Sequence, residues 1–354
     1  MANLATWGNE LYTGKRSYRF VGLRKWWFLI AGILVVASIL IPVMKGGFNL
    51  GIDFRGGNEF QVSQSQTQDV TVGQNAVSAI APDADPQVTV QAGTTMRVQT
   101  NTLEDAAQGT QIREALAKAY GTDVKQVSMS SIGPTWGADV SKQAGIGLVA
   151  FIVLVALLMG LYFRTWKMSL AAIVGLLVVV ITTAGIYAVT DFEVTPSAVI
   201  GFLTILSYSL YDTVVVFDKV RENTADPSLK NRLTFGEQVN RAVNQTLVRS
   251  INTSVVAILP VGSILFIGAM LLGAGTLEDL SLAIFVGIIV SALSTLFVQA
   301  PLYAQLRVNE PEIKAHDDKV HARREAEGED AEAEPEFTHQ GAVSDAASGQ
   351  GAKG

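Results

Sequence analysis

SYSLYDTVVVFDKVREN, Ser207–Asn223, decides how the rest of the chain is read. From Leu203 to Phe217 the only charge is Asp212, and Asp218, Lys219, Arg221 and Glu222 then mark a return to water. We read the stretch as the end of a membrane-spanning helix, with Asp212 about a turn and a half inside its boundary. A carboxylate at that depth costs about 2.5–3.5 kcal/mol to insert. Such a residue faces protein or a wet cavity, and its default reading is a route for ions or protons.

Working outward, the 354-residue chain is 49% hydrophobic and only 16% charged, against about a quarter charged in soluble domains. A membrane protein is expected. The net charge of −6 is concentrated in the tail from Val308 to Gly354, which holds 12 acidic and 5 basic residues, so the body is close to neutral. No basic surface stripe with interleaved aromatics points to nucleic acid. With no cysteine, disulfides, thiolate metal sites and thiol catalysis are excluded. The three histidines, His316, His321 and His339, all fall in the tail, so a histidine metal site or catalytic triad in the body is excluded too. No cofactor is expected.

Uninterrupted apolar runs at 26–44, 144–163, 168–190, 195–217, 250–273 and 281–306 give six spans. The first follows Lys15, Arg16, Arg19, Arg24 and Lys25 and lacks a cleavage site of the signal-peptide type. Arg164 and Lys167 lie in one short loop, and Lys219, Arg221, Lys230, Arg232 and Arg241 in another. The alternate loops carry Asp191, Glu193, Glu278 and Asp279. By the positive-inside bias, both termini, including residues 1–25, are cytoplasmic. The loop 218–248 reads as an amphipathic helix along the inner face, and residues 308–354 as a disordered cytoplasmic tail.

Residues 45–142 form the one large outer segment. Val88 and Val90, then Met96 and Val98, alternate at period two across an Ala-Gly turn, while Ile112, Leu116, Ala117 and Tyr120 recur at helical spacing. The order strand, helix, strand, strand, helix, strand predicts a ferredoxin-like α+β domain between the first and second spans.

Asp212 has a depth-matched candidate partner in Arg249, which opens the fifth span in NQTLVRSINTS. Tyr208, Ser209 and Thr213 near the aspartate, and Asn252 and Thr253 three and four residues beyond the arginine, complete an expected polar seam. Desolvation favours the neutral carboxyl and a nearby guanidinium the charged one, so a helix shift that changes their separation moves a proton. The bland alternative is a fixed ion pair joining two helices. Tyr211-Asp212 also resembles half of an intramembrane aspartyl protease site, but no second membrane-embedded aspartate accompanies it. Outside the membrane, Asp53 sits in GIDFRGG with Gly51, Gly56 and Gly57, an entry to the domain by spacing alone. GPTWG, with Gly133 and Pro134, reads as a hinge back into the second span. Pro260 lies inside the fifth span, where kinks are tolerated.

GIDFRGG, SYSLYDTVVVFDKVREN, NQTLVRSINTS and GTLEDLSLAIFVGIIVSALSTLFVQAPL together resemble the SecF side of the SecD/SecF protein-export family, within the resistance-nodulation-division superfamily. The likeness runs from about Tyr18 to Leu306, with Arg55 standing where a threonine is frequent. It implies a subunit of the bacterial inner membrane that works with SecD, the SecYEG translocon and a YajC-like auxiliary subunit, among membrane lipids. It also implies that the proton-motive force is used to pull unfolded preproteins outward, with Asp212 and Arg249 on the proton path and no covalent catalytic site. Two rivals are a stand-alone proton-coupled exporter of lipids or drugs and a non-transporting membrane scaffold.

Overall fold

The computed structural model describes residues 2–91, 94–103, 105–163, 165–269 and 275–327. Among these, six helices are long and apolar enough to cross a membrane: Arg24–Lys45, Pro134–Phe163, Trp166–Thr190, Pro196–Ala225, Phe235–Gly268 and Leu277–Arg307, the first to sixth spans. Apolar residues around the whole circumference of such helices leave lipid and neighbouring helices as their only favourable surroundings. The chain is a multi-pass membrane protein.

Close approach of small residues joins the fourth and sixth spans, Gly201 against Ala283 and Gly287 against Ile205. Lipid tails are as apolar as leucine side chains, so helices in a bilayer gain from tight backbone contact rather than from burial itself. At the end away from the 45–132 segment, Phe163, Phe217, Tyr303 and Phe235 form a column with ring centroids 5.5, 5.6 and 5.8 Å apart in turn. The first span stands at the periphery along the third, most of its apolar surface uncovered. Lys45 at its end donates to the Ala188 carbonyl at 3.0 Å and pairs with Asp191 at 2.8 Å.

Between the first and second spans the chain makes strand β1 (Gly57–Val62), a helix (Val70–Ser78), strands β2 (Gln87–Gln91) and β3 (Thr95–Thr100), a second helix (Ala106–Ala119) and strand β4 (Val127–Ile132). The sheet is antiparallel in the order β2-β3-β1-β4, with Phe60 opposite Val98 on one side and Met129 on the other. Period-two alternation places Phe60, Val62, Met96 and Val98 on the face covered by Val77, Ile112, Leu116 and Tyr120. The opposite face carries Glu59, Arg97 and Gln99, and it meets the loop between the third and fourth spans. There Arg97 bridges Glu59 and Glu193 at 2.7 and 2.6 Å, Gln99 donates to Glu193 at 2.8 Å, and Leu50 pairs with Val194.

Three sequence expectations need correction. The second span begins at Pro134, ten residues before the apolar run, because TWGADVSKQAG continues the helix despite Gly137 and Gly145, and hydropathy alone cannot distinguish polar helix from loop. No separate amphipathic helix covers 218–248. The fourth span continues to Ala225, and a capping box between Thr234 and Glu237 starts one helix that runs from Phe235 through Ser263 into the fifth span, Pro260 included. The tail is helical over Pro311–Glu327, where Asp317 accepts from the Phe235 amide at 2.8 Å and Arg324 pairs with Glu237 at 2.7 Å around a buried Val320. Docking supplies the stabilisation that its composition lacks. Residues 1–25 include a helix, Ala2–Thr13, with Leu11 buried in the bundle. Arg164, the Ala-Gly turn at 92–93, the end of the fifth run at 270–273, His339 and the tail from 328 lie outside the described residues.

Candidate functional site

Asp212 is buried between the fourth, fifth and sixth spans, 5% exposed. Its Oδ1 accepts a hydrogen bond from the Ser250 hydroxyl at 2.7 Å, the Thr295 hydroxyl lies near enough to act on it, and Oδ2 is buried with no hydrogen-bond partner. The helix of the fifth span delivers Ser250 because Thr246, Ser250 and Ser254 recur every four residues on one buried face. Thr213, next to Asp212, lies 2.7 Å from the Ser209 carbonyl oxygen and 2.6 Å from the Gln299 side-chain amide. Both neighbours are acceptors, the carbonyl oxygen and Gln299 Oε1, so the single hydroxyl proton of Thr213 serves one of them at a time. Tyr208 OH and Ser209 Oγ on the fourth span, and Ser291 Oγ and Gln299 Nε2 on the sixth, are further buried polar atoms without hydrogen-bond partners.

Arg249 is placed differently from the sequence expectation. Its guanidinium donates to the Tyr211 hydroxyl at 3.2 Å on the outer surface of the bundle, and no ion pair to Asp212 forms among the described residues. Asn252 is exposed, and Thr253 bonds back to the carbonyls of its own helix at Arg249 and Ser250, so neither reaches the aspartate. Sequence reasoning set the inward face of this helix one residue off, a rotation of about 100°. It missed Ser250, Thr295 and Gln299. Removing the donor with Ser250→Ala is expected to lower stability by about 0.5–2 kcal/mol. A thermal melt in detergent that matches the wild type contradicts a structural role for that bond.

The second set of candidates, GIDFRGG and GPTWG, meets where the small domain joins the spans. Gly51 donates its amide to the Val194 carbonyl at 2.9 Å and caps a single turn, Ile52–Arg55, that holds Asp53 half-buried. Gly56 and Gly57 follow at φ +80° and +140°, and a side chain on Gly56 would meet the Pro134 backbone at 2.9 Å. Gly133 is the one residue between β4 and the second span, and Pro134 is the first residue of that helix, so the domain is coupled directly to it rather than through a long hinge. Asp53 shares no hydrogen bond with Asp212 and forms a separate site.

Burial pushes the Asp53 carboxyl up from its ordinary 3.8, and Glu59 adds to this against the pull of Arg97. The folded state thus prefers the protonated form. Stability from this group is fully present below pH 3.8 and is lost as pH rises through the raised folded value. Asp53→Asn is expected to raise the melting temperature at neutral pH and to leave it unchanged at strongly acid pH. A uniform shift at both would contradict the assignment.

The sequence matches the family described as protein export membrane protein SecD/SecF, C-terminal, over residues 112–309, and the SecD/SecF GG motif over residues 45–67. The chain belongs to the SecD/SecF family. The GG motif covers Gly56 and Gly57, and the larger match covers Asp212 and all of its neighbours. Protein translocase subunit SecF of Streptomyces coelicolor is 41% identical over 94% of this chain and 89% of its own length. Protein translocase subunit SecDF of Thermus thermophilus is 28% identical over 80% of this chain and 38% of its own. The crystal structure of Thermus SecDF, described as a translocon-associated membrane protein, superposes with a TM-score of 0.71 at 26% identity. It covers 82% of this chain, which spans 39% of the SecDF chain. SecD/SecF relatives therefore occur both at this length and fused into a longer polypeptide.

Proposed function

We propose that this chain is the SecF-type subunit of a protein translocase and that it uses the proton-motive force, together with SecD and the SecYEG translocon, to drive late steps of preprotein export. The observation that carries the reading is Asp212: a carboxylate in a membrane-spanning helix, held by one hydroxyl and paired with no cation among the described residues. A locked ion pair would serve as a joint. A carboxylate with one free oxygen beside other buried polar atoms is suited to gain and lose a proton. Tyr211 and Arg249 lie on the outer surface of the bundle next to it. An exposed guanidinium at that depth favours a second helical bundle there, and the fused SecDF relatives support SecD as its source.

In this reading the membrane is the bacterial inner membrane, both termini are cytoplasmic and the 57–132 domain is a ferredoxin-like lobe outside, as its strand and helix order supports. No covalent catalysis is required. A proton falling through about 200 mV supplies about 4–5 kcal/mol, enough to bias a two-state motion by about three orders of magnitude. Gly133–Pro134 and the Arg97–Glu193 bridge would carry helix movement to the lobe. The test is export into inverted vesicles that contain the whole complex, with ATP held constant and an uncoupler added. The late phase should slow only where this subunit is present. Equal slowing with and without it would overturn the proposal.

A further inference from the structure

A groove of about 620 Å³ opens between the N-terminal segment, the first span, the fifth span and the sixth. Leu23, Trp27, Ile251, Leu293 and Phe297 give it apolar walls, and Arg19 stands in its lining. The segment that carries Arg19 is held in place: Asn244 accepts from the Tyr18 amide at 2.8 Å and donates to its carbonyl at 2.9 Å, and Asn240 accepts from the Val21 amide at 3.1 Å. Phe20 is buried against Phe297, with ring centroids 5.5 Å apart. Backbone and aromatic anchors thus fix the segment while the Arg19 side chain remains exposed, with no ion pair or hydrogen bond to its guanidinium among the described residues. Lys15 and Lys25 are exposed nearby in sequence. Trp27 packs its ring on Phe297 at 4.4 Å, yet its indole N–H is buried without an acceptor.

We infer that the groove binds one anionic phospholipid of the leaflet on the side of the N-terminus. An acyl chain suits the walls, and a phosphate suits Arg19. Charge complementarity selects the headgroup: basic residues at a membrane surface each favour anionic lipid by about fivefold, which corresponds to about 1 kcal/mol. An apolar helix from another protein would fill the walls but leave the guanidinium at the rim without a counter-charge. Ser250 lines the same groove while it donates to Asp212. A seated chain therefore forms part of the wall that separates the carboxylate site from the surrounding bilayer.

The full-length chain, purified with whatever subunits accompany it, is reconstituted in nanodiscs of equal parts phosphatidylglycerol and phosphatidylcholine. Retained lipid is then read by native mass spectrometry after detergent release. Phosphatidylglycerol should be retained in preference to phosphatidylcholine. Arg19→Gln should reduce that preference about fivefold, and Arg19→Lys should keep most of it. Leu293→Trp, at a site 51% exposed and so tolerant of a larger side chain, should displace lipid of either headgroup. Equal retention of the two lipids, retention unaffected by Leu293→Trp, or efficient cross-linking of Leu293→Cys to another protein chain in native membranes would overturn the inference.

Discussion

Asp212→Asn is expected to yield a chain that folds, inserts and assembles normally but no longer contributes to export driven by a proton gradient. The substitution is nearly isosteric, and the asparagine oxygen can still accept from Ser250, so the contact that holds Asp212 survives. What is lost is the ability to change charge. The gradient-dependent increment should fall by about tenfold or more, against a ceiling of about three orders of magnitude set by the free energy of the proton. Full gradient-dependent export by a normally inserted Asn variant would exclude proton transfer at this residue and leave the scaffold reading.

The second large effect is expected at Gly57→Ala. Its φ of +140° is one that residues with a Cβ rarely adopt, and the added methyl would overlap the Thr100 carbonyl oxygen in the backbone of the neighbouring strand. Strain and overpacking of this kind cost about 1–3 kcal/mol each, so a loss of about 3 kcal/mol or more is expected. It should appear as a lower midpoint of thermal unfolding and as faster protease cleavage within 57–132. Gly133→Ala is the control, because an added methyl there has only the Thr135 hydroxyl within 4.0 Å. Equal effects at the two positions would mean that the Gly56–Gly57 geometry is not what limits stability.

The features that the sequence revealed are those in which a single residue type contradicts its surroundings. Asp212 stands out in an apolar run without any knowledge of its neighbours, and the positive φ values at Gly56 and Gly57 agree with a glycine pair that interrupts a strand pattern. Ser250 gives no such signal, because a serine one residue after an arginine at a helix boundary is unremarkable. The clue available was the repeat Thr246, Ser250, Ser254, small polar residues spaced by four, but choosing Arg249 as the inward residue turned attention to the wrong face. Gln299 was hidden for a related reason: its partner Thr213 and the close backbone of Gly175 belong to two other spans, and such meetings are set by helix packing. Span limits were missed wherever helix continues into water. The start at Pro134 and the helix Pro311–Glu327 depend on connectivity and docking, to which hydropathy is blind.

Whether Asp212 exchanges a proton with water is tested most directly by its own carboxyl vibration. Infrared difference spectra of reconstituted wild type minus Asp212→Asn, recorded across a pH titration in H₂O and D₂O, isolate that group. The account predicts a carboxylic C=O band that is replaced by carboxylate bands as pH rises and that shifts in D₂O. A carboxyl fixed in one form throughout the titration, with no isotope shift, would contradict it.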